Sequence, residues 1–267
     1  MMNDAMKLFD LSGRTVLVTG ATGHLGAKMS LALAEAGAQV LINSRNEEKA
    51  VALADRICSA GLRARPAVFD VNDEAQISQL SQHVDSGELH VLINNAYAGN
   101  AGSLVGAKAQ DYTDSFNVSV TAAHLLMQAA LPFLRNAVSS TGDASIINIA
   151  SMYGVVSPDL RVYAEKAQAN PPFYGASKAA LIQLTRYAAT EFGSENIRVN
   201  SVSPGPFPNA EVQDKQPEFV TRLNQKVPLG RIGQADEIRG PVLFLASRAS
   251  SYVTGANLVV DGGWTSW

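Results

Sequence analysis

A short apolar strand, a glycine-rich turn and a helix follow one another near the start of the chain. The run 14–18 is apolar and β-branched, which predicts a buried strand. The turn TGATGHLG follows at 19–26, and apolar residues then recur at helical spacing from Leu25 to Ala36, before Gly37. Glycines let the backbone approach a pyrophosphate, and a helix N-terminus offers it free N–H groups. This order favours a dinucleotide-binding βαβ unit over an ordinary strand-to-helix turn.

Further apolar runs alternate with helical patterns along the rest of the chain. Right-handed crossovers between them predict an α/β fold, a Rossmann-like doubly wound parallel sheet of about seven strands with helices on both faces. No linker divides the chain, so 1–267 is expected to be a single NAD(P)-binding domain. The proline-rich segment 205–230 reads as a substrate lid with a short helix around 217–225, or else as a plain surface loop. The strands are expected at about 15–19, 39–44, 64–69, 89–93, 144–150, 197–203 and 257–260.

A tyrosine and a lysine stand four residues apart, in the run 174–178. On a helix Tyr174 and Lys178 would share one face, about 6 Å apart along the axis. The ammonium is expected to lower the pKa of the phenol, which suits proton transfer at an alcohol or carbonyl oxygen. The pair alone is weak evidence for a catalytic site. However, Ser151 ends a predicted strand upstream, where its hydroxyl could bind a substrate oxygen.

These motifs together resemble the short-chain dehydrogenase/reductase family over nearly the whole chain. TGATGHLG is similar to its cofactor glycine loop, NNAYAG to its NNAG motif and YGASK to its catalytic YxxxK. RVNSVSPG and the terminal VDGGW also match. The resemblance implies a Ser-Tyr-Lys set joined by an asparagine, here Ser151, Tyr174, Lys178 and Asn117.

The resemblance also implies which residues contact the cofactor. Asp70 would accept from the adenine amine, Val71 would donate its backbone N–H, and Lys178 would also bind the nicotinamide ribose. His24 occupies a position where the family usually has glycine, and Asn209 one where many members have threonine. The implied cofactor-binding set is Gly20, Thr22, Gly23, His24, Leu25, Gly26, Ser44, Arg45, Asp70, Val71, Asn95, Ala96, Tyr174, Lys178, Pro204, Gly205, Phe207 and Asn209.

Two further departures from the family pattern concern the part of the cleft where the substrate is expected. Tyr97 is inserted into the NNAG motif and is expected to line the cleft. The gap between Ser151 and Tyr174 is longer than usual, and the insert 155–173 carries charges and aromatic residues.

The end of the second strand bears on cofactor choice. An NAD enzyme usually places an acid there for the ribose hydroxyls. This chain has Ser44 and Arg45 instead, and a hydroxyl with a guanidinium would bind a 2′-phosphate. NADP is therefore favoured over NAD, with a solvated loop charge as the alternative reading of Arg45.

The expected reaction is reversible hydride transfer between a secondary alcohol and a ketone. Tyr174 would move the proton, Lys178 would lower its pKa, Ser151 would polarise the substrate oxygen and Asn117 would hold a water. The insert suggests a sugar, polyol or sugar acid, in the manner of gluconate-type and surface-sugar-pathway members. The alternatives are a 3-oxoacyl thioester reductase and, with less support, a non-catalytic NADP-sensing protein.

Composition agrees with an enzyme acting on small molecules. The chain has 21 basic and 24 acidic residues and no basic block, which argues against nucleic acid or membrane partners. The single cysteine, Cys58, is expected to be a small buried residue of a helix and suits a reducing cytoplasm. We expect no signal peptide in residues 1–10, no run of about 18 apolar residues, and no metal site, because the histidines lack ligand spacing.

Quaternary structure follows mostly from the resemblance, which implies a homotetramer. Two tryptophans lie near the end of the sequence, Trp264 and Trp267. Aromatic residues of this kind either anchor an interface or cap the core of their own domain.

Overall fold

A computed structural model describes residues 4–267 of the chain. Seven strands form one parallel sheet in the order β3-β2-β1-β4-β5-β6-β7. The strands are β1 Thr15–Val18, β2 Gln39–Ser44, β3 Arg63–Val68, β4 Val91–Asn94, β5 Ala144–Ile149, β6 Ile197–Pro204 and β7 Asn257–Val260. The helices are α1 Asp4–Lys7, α2 His24–Glu35, α3 Glu47–Ser59, α4 Glu74–Ser78, α5 Ala109–Phe116, α6 Ala122–Thr141, α7 Pro172–Phe192, α8 Ala210–Lys215, α9 Pro217–Lys226 and α10 Arg239–Ala246.

The sheet is covered on both faces because alternate residues of each strand point to opposite sides. Val16 and Val18 of β1 pack in a cluster with α2, α3 and α10, whereas Leu17 packs in a second cluster with α6 and α7. The doubly wound α/β fold is therefore confirmed, and all seven strands were predicted within two residues of their bounds.

The strand order reverses between β1 and β4, which are neighbours in the sheet although two strands separate them along the chain. The crossovers on either side diverge there and leave a crevice at the carboxyl ends of the strands. The glycine turn after β1 and the Asn94–Gly99 motif after β4 both open into this crevice.

A third hydrophobic cluster lies beyond the sheet and joins the insert 155–173 to the segment 205–230. Val162 of the insert packs with Leu223 of α9 and with Trp264 near the end of the chain. Arg222 donates a 2.7 Å hydrogen bond to the Val162 carbonyl. The short helix expected around 217–225 is confirmed as α9, and a second short helix, α8, precedes it.

Two expectations about single residues meet mixed outcomes. Cys58 does lie on α3, but the prediction that it is buried is wrong: its side chain is exposed, and its thiol donates to the Ala64 carbonyl at 3.3 Å. The cysteine falls on the outer side of the helix, whose inner side is taken by Leu53 and Ile57. Trp264 is buried in its own domain, whereas Trp267 is 73% exposed.

The stretch 109–141 runs through α5, a π-helical segment Asn117–Thr121 and α6 without a break. By length and mean hydropathy, 1.2, it would pass as a membrane-crossing helix, although 44% of that apolar window is buried within the fold. Leu126, Ala130 and Leu134 carry this burial because they pack on the sheet.

Candidate active site

A cavity of about 700 Å³ runs along the carboxyl ends of the strands. It extends from the end of β2, past the glycine turn, to Ser151, Tyr174 and Lys178. The structure brings eighteen of the twenty sequence-predicted site residues to its walls: Gly20, Thr22, Gly23, His24, Leu25, Gly26, Ser44, Arg45, Asp70, Val71, Asn95, Ala96, Ser151, Tyr174, Lys178, Pro204, Gly205 and Phe207.

The glycine turn packs its backbone tightly at the start of α2. Gly20 has a φ of +58°, which favours glycine, and a Cβ on Gly26 would lie 2.3 Å from the Gly20 carbonyl oxygen. The N-cap residue of α2, Gly23, offers no side chain to the first helical turn. The N–H groups of that turn therefore face the cavity without a side-chain cap, as an anion site requires.

The neighbouring loop is fixed to this turn by Thr19. Its hydroxyl accepts hydrogen bonds from the backbone N–H groups of Asn95, at 2.9 Å, and Ala96, at 3.1 Å. The Asn95 amide donates in turn to the carbonyls of Thr19 and Gly20, at 2.8 and 3.1 Å. These bonds cross between the β1 and β4 loops and hold the middle of the cavity in one shape.

Two cations stand at the far end of the cavity. Arg45 follows β2, and Lys49 lies one turn into α3. The Arg45 guanidinium is 66% exposed and lies 3.8 Å from the Asp70 carboxylate. The Ser44 hydroxyl accepts from the Asn46 backbone N–H at 3.1 Å. This end thus offers a hydroxyl and two positive charges to an anionic group.

The three residues predicted to be catalytic converge at the other end. Ser151 follows β5, and its hydroxyl oxygen accepts from the Tyr153 backbone N–H at 3.1 Å, which leaves its own proton free to donate. Lys178 lies on α7 one turn after Tyr174, and its Nζ donates to the Ile149 carbonyl at 2.8 Å. The Lys178 Nζ is 5.7 Å from the centroid of the Tyr174 ring.

Helix α7 is held in place by buried polar contacts. The Asn94 amide of β4 donates to Asn148 of β5 at 2.8 Å, and Asn148 donates to Thr185 of α7 at 2.9 Å. The hydroxyls of Ser115 and Ser177 join α5 to α7 at 2.9 Å. Buried hydrogen bonds of this kind rigidify the elements that they join, so Tyr174 and Lys178 have a fixed setting.

Burial shifts the pKa values of both Lys178 and Tyr174. Burial lowers the pKa of Lys178 to about 8, because its side chain is removed from water. Burial also raises the pKa of Tyr174, and its hydrogen bond with Ser151 acts in the opposite direction. The predicted lowering of the Tyr174 pKa is therefore not seen in this structure, because the loss of hydration on burial raises that pKa.

Tyr97, predicted to line the cleft, does line it. Its ring meets the Tyr174 ring edge-on, with 4.8 Å between the centroids and 68° between the planes. The Lys178 Nζ lies 5.2 Å from the Tyr97 centroid. Burial raises the pKa of Tyr97 to about 12, so its hydroxyl stays protonated at neutral pH.

Two predicted site residues do not reach the cavity. Asn117 is exposed at the start of the π-helical segment, where its carbonyl accepts from the Ala122 N–H. Asn209 is exposed and caps α8, because its side chain accepts from the Val212 N–H at 2.9 Å. The water-holding role of Asn117 and the nicotinamide contact of Asn209 stay predictions.

Sequence reasoning missed several cavity residues, of which Lys49 is the most informative. The signal was present: Asn46 caps α3 by accepting from the Lys49 N–H at 2.8 Å, so the first turn of α3 stands beside Arg45. A basic residue in that turn could have been assigned to the same anionic ligand. The other missed lining residues are Asn43, Asn46, Phe69, Asn72, Ala98, Val118, Ile149 and Ala150.

A set of contacts that we call the clasp joins the insert to α9. It is made by Asp159, Val162, Arg222 and Lys226. The Asp159 carboxylate lies 3.3 Å from the Lys226 ammonium of α9, and Arg222 bonds the Val162 carbonyl. Arg161, with Lys226, holds the pKa of Asp159 well below its usual range. The clasp ties α9 to the insert.

The geometry fits a dinucleotide cofactor. The uncapped start of α2 suits a pyrophosphate, and the two cations after β2 suit a further phosphate. The residues predicted to be catalytic lie at the opposite end of the cavity. Within residues 4–267, no group of three or more His, Cys, Asp or Glu side chains is arranged to hold a metal ion.

Known proteins of the same kind match this chain over almost its whole length. A family model described as enoyl-(acyl carrier protein) reductase matches residues 20–265. The gluconate 5-dehydrogenase of Gluconobacter oxydans is 34% identical over 263 residues, 97% of each chain. A rhamnolipid-biosynthesis 3-oxoacyl-[acyl-carrier-protein] reductase of Pseudomonas aeruginosa is 33% identical, covering 96% of this chain and 98% of its own.

The solved structures include a gluconate 5-dehydrogenase from Burkholderia cenocepacia J2315, in complex with NADP and tartrate. It superimposes with a TM-score of 0.87 at 33% identity, over 98% of this chain and 99% of its own.

Proposed function

Because the chain belongs to the short-chain dehydrogenase/reductase family, we propose that it is an NADP(H)-dependent oxidoreductase that interconverts a hydroxyl and a keto group on a sugar acid. The observation that carries the proposal is the single cavity that holds the Ser151-Tyr174-Lys178 set at one end and the Arg45-Lys49 pair at the other. The reaction class suits the catalytic set, and the cofactor class suits the cation pair.

The proposed chemistry is proton transfer by a positioned tyrosine. Ser151 has a free hydroxyl proton and polarises the substrate oxygen. The Tyr174 phenolate takes the alcohol proton during oxidation, and the Tyr174 phenol donates a proton to the carbonyl oxygen during reduction. Lys178 keeps a positive charge beside the phenol, which favours the phenolate as it forms. A nicotinamide cofactor, when bound, supplies the hydride acceptor or donor.

The choice of NADP(H) rests on charge at the end of β2. Ser44, Arg45 and Lys49 offer hydrogen-bond donors to a 2′-phosphate. Asp70 lies 3.8 Å from Arg45, so it holds the guanidinium at the rim of the cavity. The NADP complex of the Burkholderia relative supports the same choice.

The choice of a sugar acid rests on two relatives named for gluconate and on the polar insert. Hydroxyl groups of Tyr153 and Tyr163 meet at 3.1 Å beside the lid. Ser151 adds a further hydroxyl on the cavity side. Such groups suit a ligand rich in hydroxyls.

The test is a turnover assay with purified protein. D-Gluconate with NADP+ and 5-keto-D-gluconate with NADPH should both react, as followed by the absorbance of the reduced nicotinamide. The Tyr174→Phe variant, with the ring retained, should bind NADPH but turn nothing over. Failure of the wild type on both compounds, with NADPH bound, would exclude the sugar-acid assignment.

A 3-oxoacyl thioester reductase is the second candidate. A groove of about 660 Å³ lies on the other side of Tyr153, with Leu104, Val105 and Val155 among its apolar lining residues. Val105 is 98% exposed. An acyl chain could lie along such a surface, and the Pseudomonas relative is named for this activity. Reduction of a 3-oxoacyl thioester at least tenfold faster than 5-keto-D-gluconate would favour this candidate.

We also infer a cytoplasmic homotetramer, acting on small molecules and not on nucleic acid or membranes. Tyr187 on the outer side of α7, Tyr252 and Trp267 are largely exposed, and aromatic residues of this kind are enriched at interfaces. Light scattering at micromolar concentration should give the mass of four chains, and a monomer would contradict the inference.

A further inference from the structure

We propose that Tyr97 is a positioning residue of the catalytic centre, whose aromatic ring holds the Lys178 ammonium beside Tyr174 while its hydroxyl takes no part in the reaction. The proposal rests on the catalytic roles given above to Tyr174 and Lys178. It concerns a residue that lengthens the loop motif after β4 and that the hydride-transfer scheme does not use.

The backbone before Tyr97 is fixed independently of its side chain. The Thr19 hydroxyl accepts hydrogen bonds from the backbone N–H groups of Asn95 and Ala96. The Asn95 side-chain amide donates a hydrogen bond to the turn after β1. The Tyr97 side chain therefore projects from a rigid backbone, and the loop at the sheet edge sets the direction of its ring. A side chain on such a support can position its neighbours.

The ring lies against both catalytic groups at once. The Tyr97 and Tyr174 centroids are 4.8 Å apart in an edge-on arrangement, which is a favoured geometry for aromatic pairs. The Lys178 Nζ is 5.2 Å from the Tyr97 centroid, within the range of a cation–π contact. Tyr97 is thus closer to the ammonium than the Tyr174 ring is, at 5.7 Å.

Few other contacts compensate the Lys178 ammonium for its loss of hydration. Lys178 is 3% exposed, and its Nζ makes one hydrogen bond, to the Ile149 carbonyl. The titratable groups that face it are Tyr97, from the loop after β4, and Tyr174, from α7. In the part of the chain described, no carboxylate pairs with Lys178, and burial alone shifts its pKa. The two aromatic faces are its main electrostatic partners.

The Tyr97 hydroxyl lies away from the reacting groups. A Cβ on Gly99 would come within 2.2 Å of that oxygen, so the hydroxyl rests over the Gly99 backbone. The ring and not the hydroxyl therefore faces Lys178.

The experiment follows the protonation of Lys178 directly and needs no substrate. The chain has eight lysines, so lysine labelled with carbon-13 at Cε gives a small set of signals, and Lys178→Arg identifies the one sought. The chemical shift of that signal is titrated against pH in the wild type, Tyr97→Phe and Tyr97→Leu. Leucine keeps apolar bulk at the site but has no π face.

The midpoint should be unchanged in Tyr97→Phe and should fall by about one unit in Tyr97→Leu, because loss of a desolvated cation–π contact favours the neutral amine. An unchanged or raised midpoint in Tyr97→Leu would overturn the proposal, and so would an equal fall in Tyr97→Phe. If Tyr97→Leu does not fold, Tyr97→Met serves as the second variant, with the same expected fall.

A kinetic readout separates positioning from mere folding. With any alcohol that the wild type oxidises, the alkaline limb of the kcat/KM profile should move to lower pH in Tyr97→Leu by the same interval as the midpoint. Tyr97→Phe should keep the wild-type profile. Absence of turnover on every compound tried would count against the proposed function, whereas the titration would still decide the role of Tyr97.

Discussion

Lys178 donates a 2.8 Å hydrogen bond from its Nζ to the carbonyl of Ile149, the last residue of the strand that delivers Ser151. Lys178 is thereby tied to the backbone that positions Ser151. Both residues are nearly fully buried, so the distance between α7 and the end of β5 is fixed by this contact as well as by packing. Five predictions follow from this arrangement and its surroundings, beginning with the tyrosine between the two residues.

Replacing Tyr174 by phenylalanine should remove the proton-transfer group and keep the ring against Tyr97. We expect turnover to fall by at least about a hundredfold, the range of general acid–base catalysis, while the Kd for NADPH changes by less than about twofold. Steady-state kinetics and quenching of tryptophan fluorescence measure the two quantities. More than a tenth of wild-type turnover would refute the assignment of Tyr174 as the acid.

Replacing Lys178 by methionine should stabilise the protein at neutral pH although it removes activity. The pKa of the buried ammonium falls from 10.5 to about 8, which corresponds to about 3 kcal/mol. Loss of its hydrogen bond would return about 1 kcal/mol, so the net gain at pH 7 is about 2 kcal/mol.

The pH dependence gives the sign of this effect. Between pH 8 and 10.5 the unfolded wild type binds more protons at Lys178 than the folded protein does, so wild-type stability rises with pH through that window. The advantage of Lys178→Met should therefore be complete below pH 8 and fade above it. Urea denaturation at pH 7 and pH 10 tests this, and an advantage that grows with pH would contradict it.

The cation pair after β2 should determine cofactor preference. Lys49→Ala should weaken NADPH binding by about tenfold, the value of one charge-assisted hydrogen bond, and leave NADH binding unchanged. Arg45→Asp should shift preference toward NADH because a carboxylate repels the 2′-phosphate. Lys215→Ala, on the distant helix α8, is the control. Equal losses for both cofactors would show that neither residue reads that phosphate.

Gly26 should not tolerate a side chain. An alanine Cβ would lie 2.3 Å from the Gly20 carbonyl oxygen, so the glycine turn would have to move away from α2 and both cofactors should bind at least about tenfold more weakly. Gly240→Ala is the matched control, because no atom lies within 4 Å of an added Cβ there. Calorimetric titration with NADPH would reveal an error if the two variants behaved alike.

The clasp should control access of the alcohol and not of the cofactor. Asp159→Asn removes the charge that Lys226 and Arg161 share, and we expect the KM for the alcohol to rise by about two- to fivefold. Hydrogen exchange in α9 should increase as well. Glu211→Gln, which breaks the exposed pair with Lys215 on α8, should change neither quantity. A rise in the Kd for NADPH in Asp159→Asn would instead place the clasp at the cofactor.

Most of the cofactor side could be predicted from the sequence because its signals are local. The strand β1, the glycine turn and α2 are consecutive, and the Gly20–Gly26 contact explains why both positions are glycine. The run 174–178 likewise lies within one helix, so its spacing gives its geometry.

Other features depend on contacts between distant segments, which spacing does not report. Asn209 matches a family position, but its side chain caps α8 in the structure. The raised pKa of Tyr174 results from burial by several elements together, which a Tyr-Lys spacing cannot convey. Cys58 has both buried apolar and exposed polar neighbours on α3. Only the packing of this helix on the sheet determines that the cysteine faces outward.

The third hydrophobic cluster bears on how the substrate specificity of this enzyme could be changed. Its buried members Val162, Leu223, Ile232 and Trp264 lie outside the strands β1–β7, whereas the glycine turn and the cation pair are built on β1 and β2. The parts that would select an alcohol can therefore be rebuilt without disturbing the parts that would hold the dinucleotide. Segments 152–172 and 210–232, moved together with Trp264, form an exchangeable cassette for grafting between relatives, and either segment moved alone would leave the other without its packing partner.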